Sequence, residues 1–172
     1  MSPLLQDWTT PFGLAPFDTI SDDDFAPALD EALVAHNAEI DAIAANSEAP
    51  SFANTVEALE AVGGKLDKVL SVFYTVAGAD SNPAREALQR DFSPKLSAHF
   101  SEISANKTLF ARVDAVWQGR DALDLSDEQA RVLKLTHLGF VRAGSALTGA
   151  DEARMKEIKG RLAVLGTEFT QN

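Results

Sequence analysis

Histidines are the residues of this chain best suited to chemistry, because an imidazole binds metals and moves protons near neutral pH. The sequence has three of them, His36, His99 and His137. Glu39 follows His36 by three residues and Glu102 follows His99 by three, a spacing that places each pair on one side of a helix. Two such helices could clasp a metal, but helical-bundle metal sites use the opposite order, Glu-x-x-His, with further carboxylates. We therefore expect half-exposed histidines that hydrogen-bond to neighbours, and no metal site.

Other arrangements typical of catalysis are incomplete. The sequence contains neither a His-Glu-x-x-His zinc motif nor a Gly-x-Ser-x-Gly nucleophile elbow. Gly63-Gly64-Lys65 lacks the remaining residues of a phosphate-binding loop, and helical periodicity places it inside a helix. We assign Ser145 to a turn between helices, Asp22-Asp23-Asp24 to a solvated helix N-terminus, and Arg142 to a partly buried position paired with a carboxylate. We accordingly expect no catalytic, cofactor-binding or metal-binding residue in this chain.

Composition argues against several classes of protein. With 26 acidic and 15 basic residues the net charge is −11, which repels nucleic acids and anionic membrane surfaces. There is no cysteine, and so no disulfide and no thiolate site. The first residues show neither the basic nor the apolar region of a signal peptide, so we expect none, and no apolar run reaches the roughly 18 residues that span a bilayer. We expect a globular protein of the cytoplasm that binds neither nucleic acid nor membrane.

The spacing of apolar residues predicts an all-α fold. Residues 1–20 hold three prolines and predict an extended lead-in that lies across the core through its large apolar residues, Trp8, Phe12, Phe17 and Ile20. From residue 21, apolar residues recur every three or four positions and predict about six helices, over 21–46, 54–76, 83–103, 109–117, 126–141 and 150–169. Asn54 is the predicted N-cap of the second helix, and Pro94 predicts a kink in the third. We expect a mostly antiparallel helical bundle over 21–172.

The last predicted helix carries an apolar stripe and no stop signal. Its stripe repeats in steps of three and four and consists of Met155, Ile158, Leu162, Leu165 and Phe169. Only Thr170-Gln171-Asn172 follow, without a glycine, a proline or a cationic last turn. We interpret the chain as cut within this helix, as a fragment of a longer protein. A stripe left without its partners predicts self-association.

Six segments in order resemble the thimet-oligopeptidase-like zinc metallopeptidases. They are PFGLAPFDTI (11–20), FAPAL (25–29) with HNAEI (36–40), FANTVEALE (52–60), SPKLSAH (93–99), LFARVDAVWQ (109–118) and FVRAG (140–144). The resemblance covers essentially the whole chain. The last two segments are most similar to members that release dipeptides from free C-termini, and next to members that cut internally in short peptides.

The resemblance implies the N-terminal helical lobe of a two-lobed enzyme whose channel admits short peptides. In this family the zinc motif and the glutamate that activates water lie in the C-terminal part. The resemblance therefore implies zinc in the full-length enzyme, with the C-terminal catalytic region and short peptides as partners, and none of the zinc ligands in this chain. The chain alone is then inactive. The alternative is a free-standing helical protein-interaction module without peptidase activity.

Overall fold

The computed structural model describes residues 2–170 of the chain, and at positions 156, 159, 160, 163, 164 and 166–170 it describes the backbone alone. Within that range 77% of the chain is helical and no strand occurs, which confirms the all-α fold class. None of the described helices is both long and apolar enough to cross a membrane.

Seven α-helices, four 3-10 turns and one π-helical segment make up this part of the chain. The α-helices are α1 (Phe25–Ala44), α2 (Ala58–Ala61), α3 (Gly64–Ala79), α4 (Pro83–Ala105), α5 (Lys107–Gln118), α6 (Asp127–Ala143) and α7 (Gly149–Thr170). The 3-10 turns are Pro3–Leu5, Pro11–Gly13, Asp22–Asp24 and Arg120–Ala122, and the π-helical segment Phe52–Glu57 leads directly into α2. α4 runs through Pro94 without interruption.

Two compact units divide the chain, Met1–Ile103 and Ser104–Asn172. The core of the first unit joins α1, α3 and α4 through an aromatic cluster, in which Phe73 contacts Phe25 at a ring-centroid distance of 5.1 Å and Phe92 at 4.7 Å. Aromatic pairs of this kind contribute stability beyond their buried area. In the second unit α5 packs against α6, and their buried apolar residues are Leu109, Val113, Val116, Leu133 and Phe140.

The lead-in divides between buried and exposed apolar residues. Leu4 is fully buried, and Trp8 and Ile20 pack against the core of the first unit. Phe12 and Phe17 are exposed instead, so their predicted placement across the core is wrong. Phe12 lies in the middle of the second 3-10 turn and is 99% exposed.

The predicted second helix is in fact interrupted. Val62 is extended and Gly63 is left-handed, with φ of +86°, so α2 ends at Ala61 and α3 begins at Gly64. The predicted N-cap, Asn54, is also wrong. Ser51 caps this segment, since its hydroxyl accepts from the Asn54 amide at 3.1 Å and Asn54 Oδ1 accepts from the Ser51 amide at 2.9 Å. The continuous apolar spacing across 56–76 concealed the break, because a short link can preserve periodicity on both sides.

Apolar residues of α7 face solvent. Ile158, Leu162 and Leu165 are exposed by 40%, 61% and 41%. The side chain of Phe169 and the end of the chain, where we expected an unfinished helix, lie outside the described residues. Self-association through this stripe stays a prediction.

Candidate functional site: a buried histidine pair

The histidines of α1 and α4 hydrogen-bond to each other in the first unit. Nδ1 of His36 and Nε2 of His99 are 3.0 Å apart, and the two residues are only 9% and 4% exposed. The expectation of half-exposed histidines is therefore wrong for both. Spacing along one helix identified each histidine's neighbours on that helix, whereas tertiary packing brings together residues 63 positions apart.

The link between α2 and α3 lies against this pair. A Cβ on Gly63 would be 3.3 Å from Nε2 of His36, a contact tighter than most real side chains make. The Gly63 amide donates to Oε2 of Glu39 at 2.8 Å. Glu39, which the sequence placed beside His36 as a potential metal ligand, thus holds the interhelical link instead.

An aromatic ring completes the surroundings of the pair. Phe100 contacts His99 edge-on at a ring-centroid distance of 5.2 Å and His36 at 6.5 Å. Phe100 itself is 48% exposed, so it separates the pair from solvent only in part.

The surroundings of His99 favour its neutral form. Burial lowers the pKa of His99, the nearby His36 lowers it further, and Glu102 opposes both with a smaller effect. Nδ1 of His99 is buried and has no hydrogen-bond partner among the described residues. A proton added there would create a buried charge with an unpaired N–H, which costs free energy. His99 is therefore suited to joining two helices and poorly suited to exchanging protons with a substrate.

These residues do not fit a zinc ion. Each histidine uses one ring nitrogen on the other, and Glu39 is engaged by the Gly63 amide. Across the described part of the chain no group of three His, Cys, Asp or Glu residues could hold a metal. Structural zinc needs four ligands and catalytic zinc normally three. The zinc that the family resemblance implies has no place at this pair.

The third histidine lies in the second unit and packs between aromatic rings. Nε2 of His137 is 2.9 Å from Oδ1 of Asp114, and its ring stacks on Trp117 at a centroid distance of 4.8 Å and on Phe110 at 6.0 Å. Arg120 also contacts Trp117, with its guanidinium carbon 4.2 Å from the centre of that ring. This arrangement ties α5 to α6.

Gly63-Gly64-Lys65 stands at a helix N-terminus and not inside a helix, so that part of the prediction is wrong. Such a terminus is favourable for anions. Here a carboxylate of the chain itself, that of Glu39, accepts from the Gly63 amide. The glycines serve the turn between α2 and α3, and Gly63 requires a left-handed conformation that other residues rarely adopt.

Ser145 lies in the turn between α6 and α7, as predicted. It is 5% exposed, its hydroxyl donates to the carbonyl of Ser104, and its own carbonyl accepts from Nζ of Lys107 at 3.1 Å. Lys107 also donates to the Leu147 carbonyl at 2.7 Å. A hydroxyl committed to a backbone carbonyl inside a turn is a structural group.

The acidic segment before α1 makes a tertiary contact through Asp22, whereas Asp23 is exposed, as a solvated N-terminus predicts. Asp22 accepts from Nε of Arg85 at 2.7 Å and from Nδ2 of Asn82 at 2.9 Å. The Asn82 hydrogen bond, followed by that of Arg85, lowers the pKa of Asp22. Asp24 instead accepts from the amide and hydroxyl of Ser21, which lowers its pKa. The start of α1 is therefore fastened to the start of α4.

The sequence indicated the wrong arginine as buried. Arg142 is exposed and forms no ion pair with any residue that the structure describes. Arg112 on α5 is buried, at 7% exposure, and sequence reasoning missed it. A usable signal existed, because Arg112 lies three residues after Leu109 and four before Val116, within the buried stripe of α5.

Comparison with known proteins identifies relatives of this chain. It is 40% identical over 171 residues to the dipeptidyl carboxypeptidase of Escherichia coli and 41% identical over 170 residues to that of Salmonella typhimurium. These alignments cover 99% of this chain and 25% of each relative. The chain is similar to the N-terminal quarter of a dipeptidyl carboxypeptidase. The resemblance seen in the sequence is thereby confirmed. No protein-family model matches the chain.

More distant relatives follow the two dipeptidyl carboxypeptidases. Oligopeptidase A of Escherichia coli is 24% identical over 172 residues, and a thimet-like oligopeptidase of Dictyostelium discoideum is 28% identical over 128. This chain spans 25% of the first and 19% of the second. The alignments to the two dipeptidyl carboxypeptidases extend over both compact units.

Proposed function

We propose that this chain is the helical N-terminal part of a peptidase that hydrolyses short peptides and releases dipeptides from their C-termini. The observation that carries the proposal is the 40% identity to a dipeptidyl carboxypeptidase over 171 of the 172 residues. The identity to oligopeptidase A over the same length is only 24%, which favours dipeptide release over internal cleavage. The role of this part is to shape access to the substrate channel.

The proposal places the chemistry outside this chain. The relatives are longer by about three quarters of their length, and the described residues here offer no group that could hold a metal. We propose that the remaining part of the protein supplies the zinc site and the residues that act on the peptide bond, and that the whole protein works in the cytoplasm. By itself the chain is proposed to bind no stoichiometric zinc and to cleave no peptide.

The test begins with the source reading frame beyond the codon for Asn172. A frame that continues for several hundred residues and encodes His-Glu-x-x-His supports the proposal. The longer protein is then purified and given one peptide with a free C-terminal carboxylate and the same peptide amidated. Mass spectrometry should show successive dipeptide loss from the first and little or none from the second.

The matched control is the 172-residue chain under the same conditions, with bound zinc measured by elemental analysis of both proteins. Hydrolysis by the short chain, or stoichiometric zinc in it, would contradict the placement of the active site. Equal internal cleavage of the free and amidated peptides would indicate an oligopeptidase. A stop codon directly after Asn172 would leave the free-standing interaction module as the function to pursue.

A further inference from the structure

Three large apolar residues near the tip of the lead-in face solvent. Phe12 is 99% exposed, Leu14 59% and Phe17 51%. They lie within six residues of one another, and we call them the lead-in patch. Singly exposed apolar residues are ordinary on a protein surface, but a local concentration of them is typical of a surface that contacts another protein.

The patch is held in place by the turn that carries it. The Gly13 amide donates to the Thr10 carbonyl at 3.0 Å, and the Leu14 amide donates to the Pro11 carbonyl at 3.4 Å. The Thr10 hydroxyl donates to the Leu14 carbonyl and closes the loop from the other side. These bonds order the backbone on both sides of Phe12, which reduces the entropy that a binding partner would otherwise have to remove.

The segment before this turn is anchored to the first unit. The Trp8 indole donates to the Pro3 carbonyl at 3.0 Å, and Nζ of Lys68 lies 4.1 Å from the Trp8 ring centre. Lys68 also donates to the carbonyl of Gln6. After the turn, Ala15 and Ile20 pack against the core. The tip therefore projects from a fixed base.

Phe12 is unusual in both conformation and exposure. Its φ is +62° and its ψ +12°, a left-handed conformation that is strained for an aromatic residue. Contacts of its side chain within this chain do not compensate for this strain, because the side chain is almost completely exposed. Strained residues persist where function uses them, and burial of this ring against a partner would compensate for the strain.

We propose that the rest of the same polypeptide covers the lead-in patch, with Phe12 as the central contact. The proposal rests on the proposed function, under which about three quarters of the protein lies outside this chain. A second copy of the chain is a poorer partner. The exposed carboxylates of Asp7 and Asp18 are close to the patch in sequence, so pairing two patches would bring like charges together.

The experiment measures the accessibility of position 12 in the longer protein. Phe12→Cys and, as the control, Val34→Cys each introduce one thiol at a position exposed in this chain, by 99% and 70%. Each variant is treated with a maleimide, and peptide mapping separates the new thiol from any cysteine elsewhere in the protein. We expect the thiol at position 12 to react at least about tenfold more slowly than the one at 34, because access then requires local opening.

Two outcomes would overturn the proposal. The first is equal labelling at positions 12 and 34. The second is slow labelling that becomes fast when the protein is diluted, since that result would show a second copy covering the patch. Protection that is independent of concentration supports the proposal.

A second variant tests the energetic role of the ring. Asn tolerates the left-handed conformation and is polar, so Phe12→Asn keeps the turn and removes the contact. We expect it to lower the Tm of the longer protein, while Val34→Ala has a much smaller effect. Equal shifts for the two variants would contradict a specific role for Phe12.

The peptidase assay is run on the same samples and keeps the two proposals separate. A protected position 12 in a protein without peptidase activity would refute the proposed function and keep the docking surface. An active peptidase with position 12 freely labelled would support the proposed function and refute the docking surface.

Discussion

Replacing each of two adjacent glycines by alanine should change stability in opposite directions. Gly63 has a φ of +86°, and a Cβ there would be 3.3 Å from His36 Nε2. Gly64 has no atom within 4 Å of such a Cβ and begins α3. The left-handed conformation costs an ordinary residue about 1–2 kcal/mol, and the contact with His36 adds to this. At Gly64 alanine reduces the entropy of the unfolded chain and favours the helix, by up to about 1 kcal/mol.

The assay uses the two tryptophans, because Trp8 lies in the first unit and Trp117 in the second. In a Trp117→Phe background the fluorescence of Trp8 reports thermal unfolding of the first unit alone. Gly63→Ala should lower its Tm by about 4–16 °C, since 1 kcal/mol shifts the Tm of a domain of this size by about 4–8 °C. Gly64→Ala should leave the Tm unchanged or raise it.

The reasoning would be refuted by Gly63→Ala with the Tm of the parent, or by equal losses in both variants. The first result would mean that residue 63 does not need a left-handed conformation. The second would mean that the break between α2 and α3 is absent and that both glycines occupy equivalent helical positions.

Three further measurements test the contacts of the chain. The pKa of His99 is lowered in the folded state, so the unfolded chain binds more protons and the free energy of unfolding should fall as the pH drops below about 6.5. Urea titrations at pH 7.5, 6.5 and 5.5 should show this loss, with a smaller one in His99→Phe. Arg85→Ala should lower the free energy of unfolding more than Lys95→Ala does, because Arg85 is the charged partner of Asp22 in a partly buried pair, whereas Lys95 forms an exposed pair worth about 0–1 kcal/mol. Sedimentation of the 172-residue chain should show concentration-dependent association that Leu162→Glu removes, and a single monomeric species in the parent would contradict the role of the α7 stripe.

The relation of the lead-in patch to the core could not be predicted from residue type. Trp8 and Phe12 are both large aromatic residues among prolines, and hydrophobicity alone predicts burial for each. The structure packs one against the core and exposes the other at 99%. Phe12 lies in the turn at Pro11–Gly13, and only the tertiary structure decides which side of such a turn meets the core.

Sequence alone determined what depends on local spacing. The all-α class, the helix predicted from residue 126, which the structure begins at Asp127 after the N-cap Ser126, and the turn at Ser145 follow from local patterns that extend over three to seven residues. The family resemblance also came from the sequence, because motifs in a fixed order can be recognised without any knowledge of the fold. Tertiary structure alone decided that His36 meets His99, that Glu39 holds the Gly63 amide and that Asp22 pairs with Arg85. Those partners are 24 to 63 residues apart. The physical reason is that a hydrogen bond depends on distance in space, whereas local periodicity records only distance along one helix.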